Sequence, residues 1–312
     1  MTLVIGTDEA GYGPNLGPLV VAATAWRVAA KPEAAEAALA AAVAAVRRAD
    51  GRPLWADSKQ VLRGSGGFAA LETGALVGLA VATGGVPGGW GELARALAAG
   101  PAAPVAEDAA LAAGVVPCEI AASAVAVDAA AVRGVLAAHG VTLATIRARV
   151  VWPAEFNAAL DGGLNKSDLL SQATLDLAAE LRTNAPEPVR VWCDRHGGRR
   201  RYAGLVARHF GGTLVHALEE TAARSVYELP DADCRVEFCV GGEARGPVAL
   251  ASMTAKYVRE LAMRGFNAHW STLCPGLVPT AGYPVDAARW RREAREAVEQ
   301  AGVAWDAIWR RS

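Results

Sequence analysis

The sequence predicts an α/β fold: a mixed sheet flanked by helices, with alanine-rich insertions and a helical C-terminal part. Two observations carry this. Short, mostly apolar runs of strand length recur along the chain, and long alanine- and leucine-rich stretches with helical spacing lie between them. No internal repeat of fixed period interrupts that order. At 312 residues, 53% hydrophobic and 20% charged, the chain is too apolar for a disordered protein. Its length suits one large domain. We read 1–312 as a single domain, with 30–117 partly insertion and 249–312 as the helical C-terminal part.

The elements follow in order. Residues 3–7 are an apolar run leading into two carboxylates, and 19–28 reads as the second strand of a hairpin-like unit across a Gly-Pro-Asn turn. Residues 32–48 are alanine-rich and helical, and 51–67 form a polar loop carrying Asp57-Ser58-Lys59. Helices are expected within 68–117, where landmarks are few. The uncharged stretch 74–91 ends in a glycine-proline cluster, so it reads as a short helix and loop, not a membrane span. A helix over 127–139 and a strand over 142–151 follow. Next comes a strongly amphipathic helix with Ser167 as its expected N-cap. Residues 189–193 form a compact strand ending at Asp194. A helix over 202–209, strands over 213–217 and 235–240, and helices over 248–264 and 284–300 complete the chain.

Net charge is −1, which excludes a globally basic nucleic-acid coat but not a local basic patch. Five cysteines without a CxxC pair, and an N-terminus with no basic leader, point to reduced thiols, a cytoplasmic location and no zinc site. Only four of the 31 basic residues are lysines: Lys31, Lys59, Lys166 and Lys256. Where composition favours arginine this strongly, a retained lysine suggests a need for a compact point charge.

The candidate chemistry lies in carboxylates at strand ends. Asp8 and Glu9 stand in Gly6-Thr7-Asp8-Glu9-Ala10-Gly11-Tyr12-Gly13-Pro14, where the glycines permit a turn and close backbone approach to a ligand. Asp194 closes an apolar strand, in the position where open α/β sheets bind ligands. Glu243 lies between a strand and a helix. Taken singly, each also reads as an ordinary turn, capping or loop acid. Converging on one sheet edge, they would form a hard oxygen-donor site suited to Mg²⁺ or Mn²⁺, and two such ions can hydrolyse a phosphodiester.

Several segments in order resemble the type 2 ribonucleases H, the HII/HIII group. Asp8-Glu9-Ala10-Gly11-Tyr12-Gly13-Pro14, followed by Gly17-Pro18-Leu19-Val20-Val21-Ala22, is similar to that family's DEAGRGPLAGPVVVAA opening. Asp57-Ser58-Lys59 resembles its DSKKL segment, the stretch from Ala249 to Glu260 its AAASIIAKVTRD helix, and Thr280-Ala281-Gly282-Tyr283 its KGYGT turn. The resemblance implies an RNase H-like fold and metal-dependent endonucleolytic cleavage of RNA in RNA–DNA hybrids, by a monomer, with Mg²⁺ or Mn²⁺. It assigns Asp8, Glu9, Asp194 and Glu243 as catalytic metal ligands. Glutamate at 243 departs from the usual HII aspartate and resembles the HIII branch. Tyr12 replaces the HII arginine between the turn glycines, which puts preference for a single embedded ribonucleotide in doubt. The backbone of Gly11, Tyr12 and Gly13 would meet the 2′-hydroxyl that distinguishes RNA from DNA.

Substrate contacts are also expected from Lys59, Lys166, Lys256, Arg199, Arg200 and Tyr283, with Arg195, Arg201 and Arg208 adding to a local basic surface. Solvated charge is the simpler reading for the arginines of 291–295 beside Trp290, and simple exposure for His196. The segment 218–227 has no recognisable counterpart in the family. A fold that binds nucleic acid but cleaves poorly, or a related nuclease with another substrate, stands as the alternative.

Overall fold

The computed structural model describes residues 1–64, 66–97, 114–211 and 214–311. Its framework is a seven-stranded mixed sheet in the order β3-β2-β1-β4-β7-β6-β5. The strands are β1 (Thr2–Ala10), β2 (Leu19–Val28), β3 (Val141–Val151), β4 (Val189–Asp194), β5 (His216–Glu220), β6 (Arg224–Leu229) and β7 (Cys234–Cys239). β3, β2 and β1 run antiparallel, β1, β4 and β7 run parallel, and β6 and β5 continue antiparallel from β7. This is the mixed α/β arrangement that the strand-length runs predict.

Helices cover both faces. α1 (Pro32–Ala45), α2 (Ser58–Arg63), α3 (Gly67–Thr83), α4 (Trp90–Leu97) and α5 (Ala122–Ala138) precede β3. α6 (Pro153–Asp161), α7 (Lys166–Arg182) and α8 (Ala203–His209) follow it. After β7 come α9 (Gly246–Leu273), α10 (Pro284–Glu293), α11 (Arg295–Gln300) and α12 (Trp305–Ile308). α9 packs along β1 and β2 on one face, and α7 crosses β1 to β4 on the other.

The central strands are buried on both sides, as the near-continuous apolar sequence of β2 requires. Val4, Val20, Ala22 and Trp26 join the core under α3 and α9, while Leu3 and Ile5 face a second cluster with Tyr202 and Phe238. Two contacts anchor these cores: Trp26 meets Trp55 edge-on at 5.4 Å between ring centroids, and Tyr202 stacks on Phe238 at 3.7 Å.

Several expectations need correction. β1 runs through the acid pair to Ala10 because Ala10 still pairs with Val20, so the strand does not end before Asp8. The polar loop 51–67 contains α2, which Asp57 caps by accepting the amides of Lys59 (2.8 Å) and Gln60 (3.1 Å). The N-cap of α7 is Asn165, not Ser167. Asn165 and Asp168 exchange side-chain-to-backbone bonds in a capping box, which satisfies two orphan amides where a serine hydroxyl would satisfy one. The unassigned segment 218–227 builds most of a β5–β6 hairpin that extends the sheet past β7. The final helix breaks at Ala294 into α10 and α11. Part of the expected insertion, 98–113, and Thr213 of an expected strand lie outside the described residues. Among the described residues, no helix is long and apolar enough to cross a membrane.

Candidate metal centre and nucleic-acid interface

Sheet register brings the acids together. Thr7 pairs with Cys193 across the parallel β1–β4 ladder, so Asp8 and Asp194 follow side by side at neighbouring strand ends. Asp8 shares the face of Gly6, whose Cα lies against Pro247 and Val248 at the start of α9. Glu9, one residue on, leaves the strand on the opposite face, as alternation dictates, but its carboxyl comes within hydrogen-bonding reach of Asp8. Glu243 sits in the 3₁₀ turn Gly242–Ala244 that joins β7 to α9. One Asp194 oxygen accepts the Gly242 amide at 3.0 Å, which ties the β4 end to that turn.

Two serines stitch the helices to this edge. Ser252 of α9 donates to Glu243 Oε1 at 2.5 Å, and its hydroxyl also lies within hydrogen-bonding reach of Asp8. Ser58, the first residue of α2, lies 2.9 Å from Ser252 Oγ. With its hydroxyl proton given to Glu243, Ser252 accepts from Ser58. The next residue, Lys59, turns its ammonium toward Glu243, Asp8, Asp57 and Asp194, and their attraction raises its pKa against the opposing effect of burial.

The acids carry the imprint of crowded negative charge. Burial, then the charges of Glu9 and Asp194, pushes the Asp8 carboxyl well up. Burial and Asp194 push Glu9 up to about 8, against the pull of Lys59. Burial also raises Asp194, opposed by the amides of Gly242, Arg195 and Gly241. Among the described residues, no three His, Cys, Asp or Glu side chains are grouped closely enough to hold an ion. The donor set nevertheless fits a hard divalent cation: carboxylate oxygens from three elements, an excess of negative charge, and one facing ammonium.

The other candidates separate into groups. Tyr12 is half-buried, between Glu9 on one side and Arg199 and Asp168 on the other; burial, then Glu9, raises its phenol. Its hydroxyl would meet a side chain added at Gly197, so the 195–199 turn packs directly beneath the Gly11–Gly13 loop. Arg199 pairs with Asp168 and donates to Ser167 at 3.0 Å, and Arg195 donates to the carbonyls of Ala222 and Thr221. These two arginines brace the turn, whereas Arg200, Arg201 and Arg208 are exposed. Lys166 opens α7 beside Arg310; burial, then that guanidinium, lowers its pKa. Lys256, one turn beyond Ser252 on α9, pairs with Glu260 at 2.6 Å. Tyr283 is exposed at the start of α10, above Gly282.

One bland reading fails and another holds. His196 is buried, not exposed: one ring nitrogen lies 2.9 Å from Ser171 Oγ, and burial pushes its pKa down to about 3, so it is neutral. Trp290 is buried against Phe266 and Trp270, while Arg291, Arg292 and Arg295 are exposed, as a solvated helix face requires.

Sequence reasoning missed Ser252, Ser58, Arg259 and Arg310. Ser252 could have been found from its place in the same helix motif as Lys256. Arg310 had no signal, because its contacts lie almost 300 positions away.

No family model matches the chain, and no curated protein matches it. Solved structures do. Ribonuclease HII of Archaeoglobus fulgidus, solved in complex with PCNA, aligns over 98% of this chain and 93% of its own, at 14% identity and a TM-score of 0.44. Ribonuclease H2 of Pyrococcus horikoshii OT3 aligns over 98% and 92%, at 14% identity and 0.48. Bst-RNase HIII, in complex with Mn²⁺, aligns over 99% of this chain and 66% of its own, at 16% identity and 0.42. These alignments run along nearly the whole chain at low identity, and they say nothing of activity.

Proposed function

We propose that the protein is a divalent-metal-dependent endoribonuclease that cuts the RNA strand of RNA–DNA hybrids. The observation that supports this reading is the mutual electrostatic influence of Asp8, Glu9, Asp194 and Glu243 near one sheet edge, with Lys59 drawn toward them. The order of sequence motifs and the adjoining Gly11–Gly13 loop supply the substrate class.

Asp8, Glu9, Asp194 and Glu243 would hold Mg²⁺ or Mn²⁺, which when bound lowers the pKa of water and stabilises charge on the phosphate oxygens. The chain's own groups do the rest. Ser252, steadied by Ser58, orients Glu243. Lys59 supplies a positive charge for the scissile phosphate. The Gly11–Gly13 backbone and Tyr12 receive the ribose, so that cleavage follows the 2′-hydroxyl. Arg200 and Tyr283, both exposed, and the half-buried Lys166 would contact the backbone of the hybrid. Cleavage leaves a 3′-hydroxyl and a 5′-phosphate.

The test is incubation with end-labelled RNA–DNA hybrid, a duplex with one embedded ribonucleotide, and an all-DNA duplex, each with Mg²⁺ or Mn²⁺. Cleavage of the RNA strand alone supports the proposal. Hybrid left intact with both metals overturns it, and cutting of the all-DNA duplex points to a related nuclease instead.

Two further outcomes are expected. Ser252→Ala removes the donor that fixes Glu243, so Mn²⁺ affinity in calorimetric titration should fall by roughly tenfold, the equivalent of one charge-assisted hydrogen bond. The second concerns pH. A carboxyl raised to about 8 in the folded state, from an ordinary 4.5, binds its proton more tightly folded than unfolded. Its stabilising contribution is therefore present at low pH and lost as pH rises through that interval. The metal-free protein should melt at progressively lower temperature from pH 5 to pH 8.5. Added Mg²⁺ should restore more at the upper end, where the carboxylates need not give up protons to bind it. Glu9→Gln should flatten the metal-free profile.

A further inference from the structure

The loop that runs from Gly11 to Pro18 is closely held at Gly11 and again from Pro14 to Pro18. A side chain at Gly11 would meet Pro18 O at 2.6 Å and Arg259 Cδ at 2.8 Å, and one at Gly17 would meet Met263 Sδ at 2.2 Å; both glycines have positive φ. The amides of Asn15 and Leu16 donate to Gly282 O at 2.8 and 3.2 Å. Arg259, buried in α9, donates to the carbonyls of Pro18 at 2.7 Å and Leu16 at 3.2 Å, and to Ala281 O at 3.0 Å.

The remaining restraint comes from the C-terminal end of the chain. Trp309 bridges Leu16 as an antiparallel pair. The Arg310 amide donates to Asn15 O at 2.7 Å, and Asn15 Nδ2 donates back to Arg310 O at 3.0 Å. The Arg310 guanidinium donates to Pro14 O and lies 4.9 Å over the Phe156 ring. Asn157 secures the segment from below: its amide donates to Trp309 O at 2.8 Å and Asp306 O at 3.1 Å, and its oxygen accepts the Arg311 amide at 2.9 Å.

Arg310 is a costly choice if its role is only to hold the chain together. It is 1% exposed, two of its nitrogens have no hydrogen-bond partner, and the charges nearest it, Arg259 and Lys166, are cations. An apolar side chain of similar volume would stabilise such a site at least as well. What the guanidinium adds is a directed bond to the one carbonyl that follows Gly13.

We infer that Arg310 is a positioning residue for substrate recognition: it sets the Gly11–Gly13 backbone at the height where a ribose is told from a deoxyribose. The C-terminal segment 305–311 is then part of the hybrid-recognition site. This inference rests on the hybrid-nuclease reading above.

The test uses full-length protein carrying Asp194→Asn, so that binding is measured without cleavage, with Arg310→Met, Arg310→Lys or Asn157→Ala added. Affinities for an RNA–DNA hybrid and for the all-DNA duplex of the same sequence are compared by fluorescence anisotropy. Arg310→Met should reduce the hybrid-over-DNA preference by roughly tenfold or more, since displacements of about 1 Å in a positioned site carry such costs. Arg310→Lys, which keeps one donor for Pro14 O, should recover most of the preference. Asn157→Ala, which loosens the segment without touching the loop, should lose part of it and serves if Arg310→Met does not fold. In the background with Asp194 intact, Arg310→Met should raise KM for the hybrid more than it lowers kcat. A lowered melting temperature with undiminished preference and KM in both Arg310→Met and Asn157→Ala overturns the inference. A parent protein that cleaves no hybrid and prefers none overturns the functional reading itself, and the inference falls with it.

Discussion

Replacing Asp8 by asparagine should abolish cleavage while making the metal-free protein harder to melt. Asp8 is buried beside Glu9, Asp194 and Glu243, and its carboxyl is held well above the usual range by burial and then by those charges. Asparagine keeps the shape and removes the charge. Loss of one ligand from a hard-cation site should lower kcat by at least about a thousandfold, the scale on which charge-stabilising groups act in catalysis. Relief of repulsion should stabilise the apo fold by roughly 1–2 kcal/mol, in line with active sites that trade stability for function. Single-turnover cleavage and calorimetric melting of one preparation give both readouts. Activity retained within tenfold of wild type would remove Asp8 from the mechanism.

The largest stability effect should come from Gly6→Ala. A Cβ at that position would lie 2.4 Å from Pro247 C, 2.5 Å from Pro247 Cβ and 2.6 Å from Val248 N. None of these belongs to a flexible side chain, so β1 and the start of α9 would have to separate. Overpacking of this kind costs about 1–3 kcal/mol, occasionally more. The displaced elements carry Asp8 and Ser252, so metal affinity should fall as well. Urea unfolding, read at an unchanged m-value, measures the first effect, and Mn²⁺ titration measures the second. A midpoint within experimental error of wild type would show that the two elements are not in such close contact.

Much of this site is legible in the sequence because its chemistry is local. The acids fall at or beside strand ends, and the end of a parallel strand is where a sheet leaves side chains free to converge. Lys59 is picked out by the scarcity of lysine and by its motif, and it does face the acids. Lys256 satisfies the same two criteria but pairs with Glu260, because helical spacing sets that carboxylate one turn away. The arginines beside Asp194 read as a basic surface, yet Arg195 and Arg199 are drawn into carbonyls and Asp168. Sequence proximity gives charge density but not which guanidinium is already engaged. The expected strand 213–217 overlaps only the first two residues of β5, and β6 was not foreseen, because the exposed edge strand His-Ala-Leu-Glu-Glu lacks an alternating apolar pattern. The serine pair Ser58–Ser252 and the clasp of Arg310 on Pro14 depend on long-range packing that no local pattern encodes.

We propose that four carboxylates from three elements act together as a divalent-metal centre. Its most direct measurement is Mn²⁺ binding followed by electron paramagnetic resonance, on wild type and on Asp8→Asn and Asp194→Asn, at pH 8 and without substrate. Wild type should bind Mn²⁺ saturably, with displacement by excess Mg²⁺, and each variant should bind it much more weakly while keeping its fold. Wild-type protein that leaves Mn²⁺ free in solution, or variants that bind it as tightly as wild type, would contradict it.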